Sequence, residues 1–219
     1  MMKARRWVGR GFGALLILLI LLIVASALVN RTLPTASAEV ERLSAAEKGR
    51  LAEFIQLRTQ LGDATWSGWG TAEIPVIVYN EQYAFLIGYP NPPDGWIKVP
   101  RQELRGGPWE RVSDDSFAGT PYYRQKLPPT GATPEAFTVL VGERWVTSMP
   151  TQEWMEISMA NQFREELPPF LVPIFPYPIV TNLFLRGSDG YISLLAHESF
   201  HAFQGDINPE RLAAAETAV

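Results

Sequence analysis

The sequence contains no cysteine among its 219 residues. This absence excludes disulfide bonds, thiolate metal ligands and a cysteine nucleophile, although it does not identify the redox compartment. Histidine is almost absent too, since the chain has only His197 and His201. Any chemistry that needs an imidazole must therefore take place at these two positions.

A strong charge of either sign is also lacking. The formal net charge is −4 at pH 7, and no basic stripe occurs beyond the first ten residues. Because surfaces that bind nucleic acids carry clustered lysine and arginine, we expect no nucleic-acid partner. The hydrophobic content of 47% is ordinary for a folded protein, which argues against wholesale disorder.

The N-terminus combines a basic flank with an apolar run. Residues 1–11 carry the basic side chains, and residues 12–29 contain no charge. A helix of about 20 apolar residues can cross a membrane, and a basic flank normally stays in the cytoplasm. We therefore predict a single-pass anchor with a cytoplasmic N-terminus and an extracytoplasmic main domain. The alternative is secretion after signal-peptide cleavage, because small residues at 25–27 and 36–38 resemble cleavage sites.

Beyond a polar linker at residues 30–38, the pattern predicts one α+β domain over residues 39–219. Helical periodicity and runs of β-branched and aromatic residues distinguish its elements. Helices are predicted at 39–61, 151–166, 189–204 and from 208 onwards, and strands at 74–79, 84–89, 137–141, 145–149 and 179–185.

Turn and capping residues predict several element boundaries. The residues between the strands at 137–141 and 145–149 favour a β-hairpin. Ser188 is expected to cap the helix that follows it, and Gly205 to end that helix. Asn208, followed by a proline, is expected to begin the last helix.

One short pattern carries chemistry. Residues 197–201 read His-Glu-Ser-Phe-His within a predicted helix. Four residues slightly exceed one turn, so His197 and His201 project from the same face and can share a metal ion. Glu198 lies about 100° around the helix from His197, so it can act on water beside the ion. This arrangement suits hydrolysis assisted by Zn²⁺, which accepts imidazole nitrogen and leaves one position open.

Residues 193–204 resemble the active-site helix of zincin-type metallopeptidases, in particular of the gluzincin branch. The resemblance covers roughly residues 189–217. It implies zinc as the cofactor, His197 and His201 as its ligands, Glu198 as the catalytic base, and a peptide or protein as the substrate. It also implies a twisted mixed or antiparallel sheet packed against the helix, with an edge strand that could hold an extended peptide.

The third metal ligand stays open at this point. In gluzincins it is a glutamate on the next helix, for which Glu210 and Glu216 are the candidates. A carboxylate one to two turns into that helix would be level with the metal, which favours Glu216 over Glu210. Asp206 is a third candidate, and a ligand beyond Val219 is a further alternative.

These features predict a membrane-anchored, extracytoplasmic zinc metallopeptidase. The alternative is a zincin-fold protein that binds zinc or a peptide without turnover and acts as a scaffold. The intact Glu198 favours the enzyme, since a degenerate site would be expected to lose its base. Tyr191 lies six residues before His197, nearer the opposite side of the helix, so we expect it in the core. The pattern decides neither the substrate nor the oligomeric state.

Overall fold

The computed structural model describes residues 2–99, 103–128, 132–134 and 137–217. The chain divides into two compact units, each formed by two separate stretches of sequence. Unit 1 comprises Met1–Thr35 and Glu156–Arg186, and unit 2 comprises Ala36–Met155 and Gly187–Val219. Residues 156–186 thus group with the N-terminal segment instead of with the rest of the predicted domain.

Unit 1 is helical. It contains α1 (Met2–Val29), most of α3 (Gln152–Glu166) and α4 (Tyr177–Leu185). The side chains of residues 2–10 and 12 lie outside the described set, and most large apolar side chains from Leu15 to Val29 are exposed. Across the residues that the structure describes, no helix meets the length and apolarity that a membrane crossing requires.

The strand predicted at residues 179–185 is wrong, because these residues belong to helix α4. Prolines stand before and within its first turn, where their fixed φ suits a helix and their missing N–H costs nothing. Tyr177, Thr181 and Leu185 are buried at intervals of four, which is a helical period. The run of β-branched residues favoured a strand locally, but this packing overrides that preference.

Unit 2 contains one eight-stranded sheet, and its helices and sheet together confirm the α+β class. The strand order is β4-β3-β7-β8-β1-β2-β6-β5. Among the strands that the structure describes, β1 and β8 alone pair in parallel, so the sheet is mixed, as predicted. Its strands are β1 (Val76–Tyr79), β2 (Tyr83–Ile87), β3 (Trp96–Lys98), β4 (Leu104–Arg105), β5 (Glu110–Arg111), β6 (Tyr123–Lys126), β7 (Phe137–Val141) and β8 (Arg144–Pro150).

The central strands match the predicted ones. Strands β1 and β2 pair antiparallel, and β7 and β8 form the predicted hairpin, with Val141 opposite Arg144. Gly142 in the connecting turn has a φ of 58°, which glycine adopts without strain. Alternate residues of β1 enter different apolar clusters: Val76 joins the cluster that includes α5 residues, and Ile77 joins the other. The sheet is therefore covered on both faces.

Helices α2 (Ala45–Thr65) and α5 (Gly187–Ile207) pack against each other, and α5 also packs on β7 and β8. Helix α2 begins later than predicted because the Ser44 hydroxyl accepts a hydrogen bond from the Glu47 amide, at 3.2 Å, and caps it there. The predicted helix at 151–166 is confirmed as α3.

The predicted bounds of α5 need two corrections. Ser188 is not its N-cap, since the helix already includes Gly187. Gly205 does not end it either, because the helix continues to Ile207. A Cβ at Gly205 would lie 2.5 Å from the indole of Trp145, so this glycine permits close packing of helix on strand. Tertiary contact, and not helix termination, explains the residue.

The last helix, α6 (Pro209–Thr217), begins as predicted. The Asn208 side-chain oxygen accepts a hydrogen bond from the Arg211 amide at 3.1 Å, which is the expected cap. Helix α6 packs against α5. The residue type therefore predicted this boundary correctly.

Candidate metal centre

Helix α5 has a buried face and an exposed one, and the two histidines lie on the exposed side. Its buried residues include Tyr191, Leu195 and Ser199, at intervals of one turn, and Tyr191 is a core residue as predicted. His197 is exposed and His201 is half-buried. One face of the helix that carries the motif is therefore packed in the core, and the two imidazoles lie on its more exposed face.

The two imidazoles converge. Their Nε2 atoms lie 3.0 Å apart, and the ring planes are nearly perpendicular, at 89°. Two zinc–nitrogen bonds of about 2.0–2.1 Å at a tetrahedral angle would separate the nitrogens by about 3.3 Å. The pair therefore fits a shared zinc ion after a shift of a few tenths of an ångström.

Gln204 is a site residue that the sequence did not reveal. Its side-chain oxygen lies 3.1 Å from Nδ1 of His201. A proton on Nδ1 satisfies this contact and leaves the Nε2 lone pair of His201 directed toward His197, which is the tautomer that a metal requires. The only available signal was the spacing of three residues, which places the two side chains together on a helix.

Glu198 follows the first histidine and is half-buried. Its neighbour Ser199 is fully buried, so Glu198 stands at the border between the two faces of α5.

The described candidates for the third ligand, Asp206 and Glu210, are not gathered beside the histidines. Among the described side chains, no group of three or more histidines, aspartates and glutamates could hold a metal ion. Glu210 and Asp206 are both exposed. Glu216 belongs to α6, but its side chain lies outside the described set, so its assignment as a ligand stays a prediction.

A cleft of ≈ 470 Å³ opens beside His201, between the end of α5, helix α6 and Trp66. Phe203 and Leu212 contribute to its apolar lining, and Arg211 adds a positive charge. A mostly apolar concavity with a few polar groups is the usual form of a small-molecule or side-chain pocket. The cleft therefore offers a place for a bulky apolar group beside His201.

Aromatic contacts hold the turn of α5 between the histidines. The ring of Phe200 lies 5.1 Å from Trp69 and 6.1 Å from Trp66, both edge-on. Trp66 also lines the cleft, so the same contacts connect its wall to the helix.

A second polar cluster lies on the buried side of α5. The Tyr191 hydroxyl contacts the Glu47 carboxylate. This carboxylate also accepts hydrogen bonds from the Arg50 guanidinium, at 3.1 Å, and from the backbone N–H of Gln152, at 3.3 Å. Burial raises the pKa of Glu47 above its ordinary value, although Tyr191 and Arg50 oppose the shift. Since its partners all come from within unit 2, this cluster joins α2, α3 and α5 structurally.

No protein-family model, curated protein or solved structure matches the chain. The site is therefore interpreted from its own residues and their geometry.

Proposed function

We propose that this protein is a zinc-dependent metallopeptidase with a zincin-like fold, tethered to a membrane with its main domain outside the cytoplasm. One observation carries the proposal: the Nε2 atoms of His197 and His201 meet at 3.0 Å on a helix that also bears Glu198. The packing of α5 on a mixed sheet supports it, because the resemblance to zincins implies that arrangement.

His197 and His201 would hold the zinc ion through Nε2, with Glu216 as the expected third ligand. Bound zinc supplies Lewis-acid chemistry, lowering the pKa of water and polarising a carbonyl. The Gln204 side-chain oxygen would accept a hydrogen bond from Nδ1–H of His201, which leaves the Nε2 lone pair available to the metal.

Glu198 would act as the general base. Its carboxylate takes a proton from the attacking water and returns it to the amide nitrogen that leaves. Glu198 is half-buried, so part of its side chain is open to solvent.

The substrate would be held mainly through its side chains. The cleft beside His201 accepts a bulky apolar group against Trp66 and Phe203. The edge strands β4 and β5 are each two residues long, so they offer little main-chain pairing to an extended peptide. We therefore expect preference for a large apolar residue next to the cleaved bond.

Membrane tethering rests on α1. Its sequence has no charge over residues 12–29, and its large apolar side chains from Leu15 to Val29 are mostly exposed. Burying such a surface in lipid is favourable. Cleavage of this segment as a signal peptide would instead release the main domain.

A second candidate function is binding of zinc or peptide without turnover. It is favoured by the lack of a third ligand among the side chains that the structure describes. Two imidazoles alone bind zinc more weakly than the three protein ligands of a typical catalytic site.

Zinc content and hydrolysis of a peptide library by the full chain separate the two candidates. We expect zinc at one ion per chain and hydrolysis that falls by about 10²–10⁴-fold in Glu198→Gln, with zinc retained, because the variant lacks the base. Glu53→Gln, at an exposed position on α2, is the matched control.

Each outcome distinguishes the candidates. Hydrolysis that persists in Glu198→Gln contradicts the proposed mechanism. Wild-type protein that holds zinc but cleaves nothing in the library supports the binding protein. Wild-type protein that takes up no zinc overturns both.

A further inference from the structure

A long uncharged segment lies in unit 1. Residues 167–185, here the apolar segment, contain no charged residue. Four of its large side chains are strongly exposed: Phe170 by 73%, Leu183 by 73%, Phe184 by 64% and Ile179 by 59%. Exposed apolar groups in such number on one short stretch indicate an interaction surface, because water-facing protein surface rarely concentrates them.

The outward direction of these side chains is set by packing on the other face of α4. Tyr177 and Leu185 are buried, and the Thr181 hydroxyl bonds to the Tyr177 carbonyl at 2.9 Å. The Tyr177 ring lies 5.0 Å from Phe175 and beneath the Arg164 guanidinium, at 5.2 Å. Since this face already has partners, Leu183 and Phe184 project away from the rest of unit 1.

The apolar segment is fastened to the end of α1. Asn30 directly follows α1, and its side-chain amide donates hydrogen bonds to the carbonyls of Pro173, at 3.1 Å, and Phe175, at 2.9 Å. Most of the large apolar side chains of α1 from Leu15 to Val29 are exposed as well. The two exposed apolar surfaces are therefore neighbours within one compact unit.

We propose that the apolar segment is a second membrane contact, with Phe170, Ile179, Leu183 and Phe184 seated at the boundary between lipid headgroups and acyl chains. Exposed apolar side chains on a short helix and the stretch before it can be buried at that boundary, which removes their surface from water. Its attachment at the C-terminal end of α1 identifies a lipid surface as the occupant, because α1 would leave the bilayer at that point. The inference rests on the proposed anchor, but not on the proposed hydrolysis.

The absence of native cysteine allows a direct test. Single-cysteine variants of the full chain are labelled with an environment-sensitive fluorophore and reconstituted in phosphatidylcholine vesicles, with or without lipids that carry a quencher. Leu183→Cys reports on the apolar segment. Leu104→Cys, 64% exposed in unit 2, is the matched control, and Leu19→Cys, in α1, reports on the anchor. Phe170→Cys gives a second position on the segment.

We expect the Leu183 and Phe170 labels to emit at shorter wavelength and to lose at least half their intensity to the lipid quencher. The Leu104 label should stay as in water. Labels at 183 and 170 that match the Leu104 label while the Leu19 label is quenched would overturn the second contact and leave the anchor standing. If the Leu19 label is unquenched as well, the anchor also fails. Labels that are shielded in proportion to protein concentration, without lipid quenching, would show that a second copy covers the segment.

Discussion

The two polar clusters of α5 lie on opposite faces of one helix and differ in where their partners come from. The Tyr191 hydroxyl is buried and contacts Glu47, which Arg50 and the Gln152 amide also contact. On the other face, the Nε2 atoms of His197 and His201 meet each other at the protein surface.

This difference separates a structural cluster from a candidate site. Buried polar groups must be satisfied within the protein, since an unpaired one costs about 1–3 kcal/mol. Exposed ring nitrogens carry no such obligation, because water can satisfy them. The contact of the two Nε2 atoms at 3.0 Å, within hydrogen-bond distance, can therefore be exchanged for a shared ligand at little cost. Variants at the histidine pair should therefore lower zinc affinity without changing the free energy of unfolding. Variants at the Glu47–Tyr191 cluster should do the reverse.

Among the variants that test this separation, Gln204→Ala should have the largest effect. The variant removes the oxygen that faces Nδ1 of His201, so the ring loses its orientation and its preferred tautomer. Loss of such a supporting contact typically lowers metal affinity about 10–100-fold. Titration with zinc against a chromophoric chelator measures it, and thermal unfolding of the metal-free protein should change little. Ser193→Ala, an exposed position on the same helix, is the control. Unchanged affinity would show that Gln204 does not orient the histidine.

Tyr191→Phe should lower the stability of the fold and leave zinc affinity unchanged. It removes the hydroxyl that contacts Glu47 in the core and leaves the carboxylate with less compensation for burial, at a cost of about 1–3 kcal/mol in the free energy of unfolding. Urea denaturation measures this loss. Zinc affinity should stay within a factor of about two, since the hydroxyl lies on the buried face. A large loss of zinc affinity in a folded variant would contradict the separation of the two clusters.

The smallest effect is a pH dependence at Glu47. Burial raises the pKa of this carboxyl above 4.5, so the folded state holds its proton more strongly than the unfolded chain does. The stability that this proton binding contributes is fully present below pH 4.5 and is lost as the pH rises through the raised pKa. As the pH rises, the free energy of unfolding of the wild type should therefore fall relative to that of Glu47→Gln, whose side chain does not titrate. Urea denaturation from about pH 4 to about pH 7 tests this. For the control Glu53→Gln, the difference from the wild type in the free energy of unfolding should not change with pH. If the wild type does not lose stability relative to Glu47→Gln as the pH rises, the prediction is wrong.

Local rules predicted the elements whose signals lie within a few residues. The strand at Val76–Tyr79, the hairpin around Gly142 and the cap at Asn208 all follow from such signals, and the structure confirms each. The geometry of the histidine pair is equally local, because spacing on a helix brings the imidazoles together.

Two of the failures share one cause, which is packing between residues distant in the chain. The β-branched residues after Pro178 favoured a strand, but burial of Tyr177 and Leu185 at helical spacing decided for α4. Gly205 was predicted to end its helix. Its close approach to Trp145 of strand β8 instead explains why the position holds a glycine. Strands β3, β4 and β5 were missed for a second reason, since they are only two or three residues long, which is too short for a periodic pattern.

By itself, the sequence determined that two imidazoles and a carboxylate share one helical turn, because backbone geometry repeats every 3.6 residues wherever a helix forms. Only the tertiary structure decided which face of α5 is buried, that Glu47 from α2 meets Tyr191, and that a cleft opens beside His201. These depend on helices and strands brought together by burial of apolar surface, a non-directional force whose outcome is set by the whole chain and not by any short stretch of it.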